Sequence, residues 1–164
     1  MLAIARGLGR LLDVVDGLVK WLVLPLLVLL FLQWPLRDLV QAYSREANDL
    51  GQCLFALYVA ASVTAATRAR AHLAVDAFAR RLSGKTRNAL AVTCSLAVII
   101  PWAGFVLISS RSLLFGSVLQ LERFPDTANP GYFIVKLALG LLAALMLTGA
   151  LRELAAALGG DTHR

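Results

Sequence analysis

A chain of 164 residues that is 59% hydrophobic carries more apolar side chains than a soluble domain of this length can bury. The apolar residues cluster into four runs, each close to the roughly 20 residues that a helix needs to cross a membrane. The formal net charge of +6 comes from basic residues that lie between the runs and form no single polar face, which argues against nucleic-acid binding. We therefore predict one all-α integral membrane domain over residues 1–164, with four transmembrane helices plus short amphipathic interfacial helices.

The first apolar run follows a basic segment. Residues 2–16 place apolar side chains at helical spacing with Arg6 and Arg10 between them, which predicts an interfacial helix. A cleaved signal peptide is the alternative for such an N-terminus. Because the run ends in Gln33-Trp34-Pro35, which is no small-x-small cleavage site, we interpret residues 18–36 as the first span.

The next two segments differ in polarity. Residues 37–49 have one apolar helical face but are too polar to cross, so they predict a helix along the outer membrane surface. Residues 50–67 form the second span, which is rich in small residues. Within it, Ala60 and Thr64 are one of the small-xxx-small pairs that allow close helix packing.

The densest basic stretch of the chain follows the second span. Six lysines and arginines stand against a single acid, Asp76, between residues 68 and 88, and the positive-inside rule makes this loop cytoplasmic. We expect an interfacial helix over about residues 72–83. The predicted contacts with anionic lipid headgroups are Arg80, Arg81, Lys85 and Arg87.

The second half of the chain holds two more spans. The third span covers residues 89–110, with Pro101 predicting a kink at its middle and Arg111 at its outer end. An outer loop rich in turn residues follows, and the fourth span covers residues 132–154. Most lysines and arginines fall in the N-terminus, the middle loop and the C-terminus, so both termini are predicted to be cytoplasmic.

No arrangement of catalytic or metal-binding residues is recognisable. The only histidines are His72 and His163, no span carries an acid at its centre, and Cys53 and Cys94 lie at opposite depths. We therefore expect no enzyme activity, no cofactor, and no catalytic, metal or substrate-binding residue in this chain.

Lys136 is the exception among the charged residues, because it lies about one turn inside the outer end of the fourth span. Its ammonium group either snorkels to the surface or meets a partner subunit. A third possibility is an ion pair with Glu122 or Asp126 of the outer loop.

The order of features resembles a known family. A first span ends in Gln33-Trp34-Pro35-Leu36-Arg37, and an amphipathic stretch with Glu46 and a small-rich span lead to His72-Leu73-Ala74-Val75-Asp76. This order resembles the DctQ-like small membrane subunit of tripartite ATP-independent periplasmic (TRAP) transporters. The family often enters its second span through Trp-x-Glu-Glu, whereas this chain has Ser44-Arg45-Glu46-Ala47, which suggests a divergent subgroup.

The resemblance implies a secondary transport system of three parts, namely a periplasmic substrate-binding protein, a large membrane subunit with the substrate and ion sites, and this small subunit. The small subunit would be a membrane scaffold, located in a bacterial inner membrane, in ion-coupled uptake of an organic acid or related solute. Candidate structural or partner-interface residues are Arg37, Glu46, His72, Asp76, Arg111 and Lys136.

Several of these residues have an alternative role. Arg37 and Glu46 either orient the outer amphipathic helix or contact the binding protein or lipid headgroups. His72 and Asp76, four residues apart, share a helical face and would pin the cytoplasmic end of the second span.

A stand-alone four-helix protein, such as a small homo-oligomeric channel or efflux protein, is the main alternative function. It would place a stripe of polar residues along a pore. The spans offer only hydroxyl groups in mid-bilayer, on Ser62, Thr64, Thr93, Ser95 and Thr148.

Overall fold

The computed structural model describes residues 2–39, 44–68 and 83–158. In chain order its helices are α1 (Leu2–Asp38), α2 (Arg45–Arg68), α3 (Gly84–Cys94), a π-turn (Ser95–Ile99), α4 (Ile100–Leu119) and α5 (Tyr132–Leu158). No strand forms within these residues, apart from one isolated bridge between Arg123 and Pro130.

Four stretches of helix are long and apolar enough to cross a membrane, which confirms the predicted all-α class with four spans. They are Arg6–Pro35, Arg45–Thr67, Val92–Leu119 and Tyr132–Ala157. The third stretch is continuous from α3 through the π-turn into α4.

The first helix is longer than one span. The segment predicted as an interfacial helix, residues 2–16, and the first predicted span, residues 18–36, form the single helix α1. At 1.5 Å per residue, 37 residues of helix extend about 55 Å, against about 30 Å of hydrocarbon. No proline lies between the two segments, since Pro25 and Pro35 are both farther along the helix.

Residues 37–49 do not form a separate helix in the described part of the chain. Helix α1 ends at Asp38 and α2 begins at Arg45, so the first two residues of the segment belong to α1 and its last five to α2, while residues 40–43 lie outside the described part. Ser44 explains the second boundary, because its hydroxyl oxygen accepts a 3.1 Å hydrogen bond from the backbone N–H of Ala47. Such a side chain satisfies a donor that the first turn leaves without a partner.

The segment predicted to form the interfacial helix at residues 72–83 lies outside the described residues except for Ser83. Ser83 caps the start of α3 in the same way that Ser44 caps the start of α2, because its Oγ accepts a 3.3 Å hydrogen bond from the backbone N–H of Thr86. Outside the described residues also lie His72, Asp76, Arg80 and Arg81.

The π-turn lies directly before Pro101. The N–H of Ile100 donates to the carbonyl of Ser95, five residues earlier, so this turn contains one residue more than an α-helical turn. Proline has no N–H and its ring crowds the carbonyl four residues before it. A π-turn at this point accommodates both effects, and it is the form taken by the disturbance that the sequence predicts at Pro101.

Small residues fill the contacts between helices. Helices α2 and α5 pack against each other, α1 packs on both of them, and α4 packs on α5. Helices α2 and α5 are therefore at the centre of the bundle. Leu12, Ala61 and Leu145 form a buried cluster that joins the three helices α1, α2 and α5. At Gly140 an added Cβ would come within 2.9 Å of Leu114 Cδ1, so α4 and α5 approach closely there.

Candidate functional site

The α4–α5 loop, residues 120–131, is held together by its own backbone. Glu122 closes its base, because its N–H donates to the carbonyl of Ser117 at 3.0 Å and its carbonyl accepts from Gly131 and Tyr132 at 3.2 and 3.0 Å. Farther along, the N–H of Phe124 donates to the carbonyl of Asn129 at 2.9 Å. The loop is therefore ordered without belonging to a sheet.

Phe124 fills the interior of this loop. Its side chain is only 5% exposed, and its ring meets the edge of Tyr132 at 5.5 Å between centroids. Gly131 has a φ of +142°, and an added Cβ would lie 3.3 Å from Phe124 Cε2. The backbone conformation favours glycine here, and any side chain would also require Phe124 to shift by a few tenths of an ångström.

An ion pair joins the loop to α5. The ammonium group of Lys136 donates to both carboxylate oxygens of Glu122, at 2.7 and 2.6 Å, and lies 5.5 Å from the centre of the Tyr132 ring. The hydroxyl of Ser117, a buried residue of α4, donates to the same carboxylate. The hydrogen bond from Lys136 and that from Ser117 lower the pKa of Glu122. Of the two acids that the sequence offered to Lys136, Glu122 makes the contact.

A second set of contacts joins the loop to α2. The hydroxyl of Thr127 donates to the carboxylate of Asp49, which is 7% exposed, and Thr127 in turn accepts the N–H of Asn129 at 3.3 Å. One turn farther along α2, the thiol of Cys53 donates to the carbonyl of Gly131 at 3.7 Å. Through these contacts and the Glu122 pair, the loop is joined to α2, α4 and α5. We call the end of the bundle that carries it the loop end.

At the opposite end of the bundle, polar contacts also join the described helices. The hydroxyl of Ser95, in the π-turn, donates to the carboxylate of Glu153 at 2.9 Å, and Ser95 is only 1% exposed. The Arg152 side chain packs on α1, since a Cβ at Gly9 would come within 3.3 Å of Arg152 Nε. Thr64 donates to the carbonyl of Ala60 within its own helix.

The charged groups of the loop network bind one another or a hydroxyl group of the chain: Lys136 pairs with Glu122, and Asp49 accepts from Thr127. This network therefore holds the loop in place and leaves none of these three groups open for a ligand. Comparison with known protein families decides what kind of protein carries it. The model of the family described as tripartite ATP-independent periplasmic transporters, DctQ component, matches residues 18–160. The chain belongs to the DctQ family. Comparisons with curated proteins and with solved structures gave no match.

Membership confirms the resemblance seen in the sequence. A DctQ component is the small permease subunit of a TRAP transporter, so the chain is a multi-pass membrane protein and one part of a multi-part transport system. The family is one of transporter components and not of enzymes. Among the residues that the structure describes, no group of three or more His, Cys, Asp or Glu side chains could hold a metal ion.

The predicted interface residues of this DctQ chain that the structure describes are dispersed, and His72 and Asp76 lie outside the described residues. Arg111 is exposed on α4, and Glu46 is exposed in the first turn of α2, where its carboxylate accepts a 3.1 Å bond from Ser44. Arg37 lies in the last turn of α1. Only Lys136 is part of the network around Glu122. The side chains of Arg37, Lys85 and Arg87 are outside the described part of the structure.

Sequence reasoning missed Asp49 and its partner. Asp49 is the fifth residue of α2, just past the first turn, and in the sequence it stands directly before the predicted second span, where an acid at the membrane surface needs no partner to explain it. Thr127 lies 78 residues away, and nothing local connects the two residues. The position of Asp49 on the apolar side of α2 was the one available signal.

Proposed function

We propose that this DctQ chain is a static scaffold that holds the large membrane subunit of the transporter during ion-coupled uptake of an organic acid or related solute. The solute would be delivered by a periplasmic binding protein, and substrate and ion would bind to the large subunit alone. The single observation that carries the proposal is the pairing of Lys136 with Glu122. A carboxylate substrate needs an open cation, and Lys136, the cation of this spanning helix nearest the loop end, is already paired with Glu122.

The apolar surface supports the same proposal. Large side chains on α1 and α4 point away from the bundle, including Trp21, Phe31, Phe105, Ile108 and Phe115, each more than 60% exposed. Such faces suit acyl chains or the helices of another membrane protein, which pack by shape and small residues. Helices α2 and α5 hold the bundle together, so α1 and α4 are left to offer these faces.

The same structure gives little support to the alternative function of a small channel. Thr64 and Thr148 donate their hydroxyls to carbonyls in their own helices, at 3.4 and 2.7 Å, and Ser95 donates to Glu153. Hydroxyl groups used in this way do not form a polar stripe along a pore.

We propose an orientation with both termini in the cytoplasm of a bacterium and the loop end in the periplasm. The support is the distribution of charge, since the stretch of residues 68–88 is strongly basic and the connections at the loop end carry only Arg37, Arg45 and Arg123. In this orientation Glu46, in the first turn of α2, and Asp126, an exposed residue of the α4–α5 loop, lie on the side from which a binding protein would approach.

The scaffold role is tested by expressing the full chain with and without the multispan protein encoded beside it. We expect the two to co-purify, and we expect uptake into proteoliposomes only when the large subunit and the binding protein are both present. Uptake by the DctQ chain alone, at the rate of the complete system, would refute the proposal.

The orientation has a separate test, in a background that carries Cys94→Ala. Asp126→Cys and Gly84→Cys place single thiols at exposed positions on opposite ends of the bundle, and a Cβ at Gly84 meets no atom within 4 Å. We expect an impermeant maleimide to label only Asp126→Cys in intact spheroplasts. Labelling of Gly84→Cys alone would reverse the orientation.

A further inference from the structure

An arginine lies well inside the third stretch of spanning helix. Arg111 is exposed on α4, and the helix continues for eight residues beyond it to Leu119. Leu114, three residues after Arg111, lies against Gly140, which is eight residues inside α5. At 1.5 Å per residue, Arg111 is therefore about 12 Å below the end of α4 and about 16 Å below the start of α5. This depth is close to the middle of a hydrocarbon layer of about 30 Å.

The direction of α4 keeps the charge of Arg111 away from the nearer membrane surface. Helical side chains lean toward the N-terminus of their own helix. Because α4 runs toward the loop end, this lean takes the Arg111 guanidinium deeper. Helix α5 runs the other way, and the same lean brings the ammonium group of Lys136 to Glu122. Within the described part of the chain Arg111 takes part in no ion pair, and a charge at this depth needs a counter-charge.

The surface around Arg111 is apolar and open. Ile108 and Phe115 lie three residues before and four residues after it on the same side of the helix, and both are more than 60% exposed. Gly104 lies one turn before Ile108, and a Cβ added there meets no atom within 4 Å. A glycine beside large apolar side chains lets a second helix approach closely. We call Gly104, Ile108, Arg111 and Phe115 the Arg111 face.

We propose that the Arg111 face binds a transmembrane helix of the large membrane subunit, and that this helix presents a carboxylate to the Arg111 guanidinium. The identity of the partner rests on the scaffold role proposed above. A guanidinium group can donate two parallel hydrogen bonds to a carboxylate, which fixes the register of the two helices. The side chains of Ile108 and Phe115 pack beside the ion pair, and Gly104 is the point of closest approach.

The position of Arg111 favours a protein carboxylate over the other anions of a membrane. Lipid phosphates lie at the membrane surface, whereas the depth of Arg111 and the lean of its side chain carry the guanidinium away from that surface. A small anionic solute would need a concave site, and Arg111 lies on an open helix face. An arginine that met only lipid would not contribute to binding of the large subunit, so the two partners give different results when Arg111 is changed.

The test measures the dissociation constant between the full chain and the multispan protein encoded beside it, by fluorescence titration in one detergent. We expect Arg111→Leu to weaken the complex at least about tenfold, because it leaves a buried carboxylate of the partner without its cation. Arg111→Lys keeps the charge and should weaken the complex less. Arg45→Leu, the same substitution at an exposed arginine in the first turn of α2, is the matched control and should bind as wild type.

A second pair of variants tests the same face without changing its charge. The space beside Gly104 is open within the described chain, so Gly104→Leu should leave the fold intact but obstruct the partner helix, and we expect about tenfold weaker binding. The matched control is Gly116→Leu, where the space is also open. Gly116 lies twelve residues later on α4 and about a third of a turn away from Gly104, so this variant should bind as wild type.

Three results would overturn the proposal. They are Arg111→Leu binding as tightly as wild type, an equal loss in Arg45→Leu, and equal losses in Gly104→Leu and Gly116→Leu. The first is the result expected if Arg111 meets only lipid. Circular dichroism of each variant alone shows whether its helices are intact. A wild-type chain that does not bind the large subunit refutes the scaffold role and this proposal together, whereas wild-type binding with an unaffected Arg111→Leu refutes the Arg111 face alone.

Discussion

Gly131 is the residue of the α4–α5 loop at which a single methyl group should have the largest effect. In Gly131→Ala the backbone keeps a φ of +142°, which residues with a side chain rarely adopt, and the new Cβ lies 3.3 Å from Phe124 Cε2. The backbone strain is worth about 1–3 kcal/mol. Phe124 is buried and cannot withdraw freely, so crowding adds to this strain.

Together these effects should lower the free energy of unfolding by about 2–4 kcal/mol. For a chain of this length the corresponding fall in Tm is about 5–15 °C. The assay is thermal unfolding in detergent, followed by the intrinsic fluorescence of the tryptophans, which lie in α1 and α4.

The matched control is Gly116→Ala, fifteen residues earlier in the last part of α4. A Cβ there meets no atom within 4 Å, and alanine favours a helix over glycine by about 0.5–1 kcal/mol. We therefore expect Gly116→Ala to unfold at or slightly above the wild-type temperature. If Gly131→Ala unfolds at the wild-type temperature, or if both variants lose the same stability, then neither the backbone conformation of Gly131 nor its contact with Phe124 limits the stability of the loop.

Other contacts make further predictions that the same unfolding assay can check. Because the pKa of Glu122 is lowered, its pairing stabilises the fold fully at pH values above the ordinary glutamate range, and this contribution disappears as the pH falls through the lowered pKa. Glu122→Gln should therefore flatten the acid side of the plot of stability against pH. An unchanged plot would contradict the pairing. Asp49→Ala and Thr127→Val should each lower the free energy of unfolding by about 1–3 kcal/mol, and the double variant should lower it by less than their sum, whereas strict additivity would mean that the two side chains do not interact. Ser95→Ala should lower Tm, because the Glu153 carboxylate loses the hydroxyl donor of Ser95. Glu153→Gln should lower Tm less, because its amide oxygen still accepts that bond. A larger fall in Tm for Glu153→Gln than for Ser95→Ala would show that this hydrogen bond does not stabilise the fold.

The candidate site could be anticipated only in part. Lys136 was recognisable because a cation one turn inside a span needs an explanation, and two acids stand in the loop that precedes this span. The choice of Glu122 over Asp126 depends on the path of the loop, in which the backbone of Glu122 closes the base while Asp126 lies exposed at the turn. That path is set by Phe124 and Gly131, whose contact is not a property of either residue alone.

The sequence by itself determined that this chain crosses a membrane four times and belongs with a transporter's small subunit. Both conclusions rest on local properties, since the length of an apolar run, the excess of charge beside it and the order of short motifs can be read without knowing which helices touch. Only the tertiary structure decided that α1 is one continuous helix, that the disturbance at Pro101 takes the form of a π-turn, and that Asp49 meets Thr127 across 78 residues. These features depend on which helices pack together, and a one-dimensional pattern holds no record of that choice.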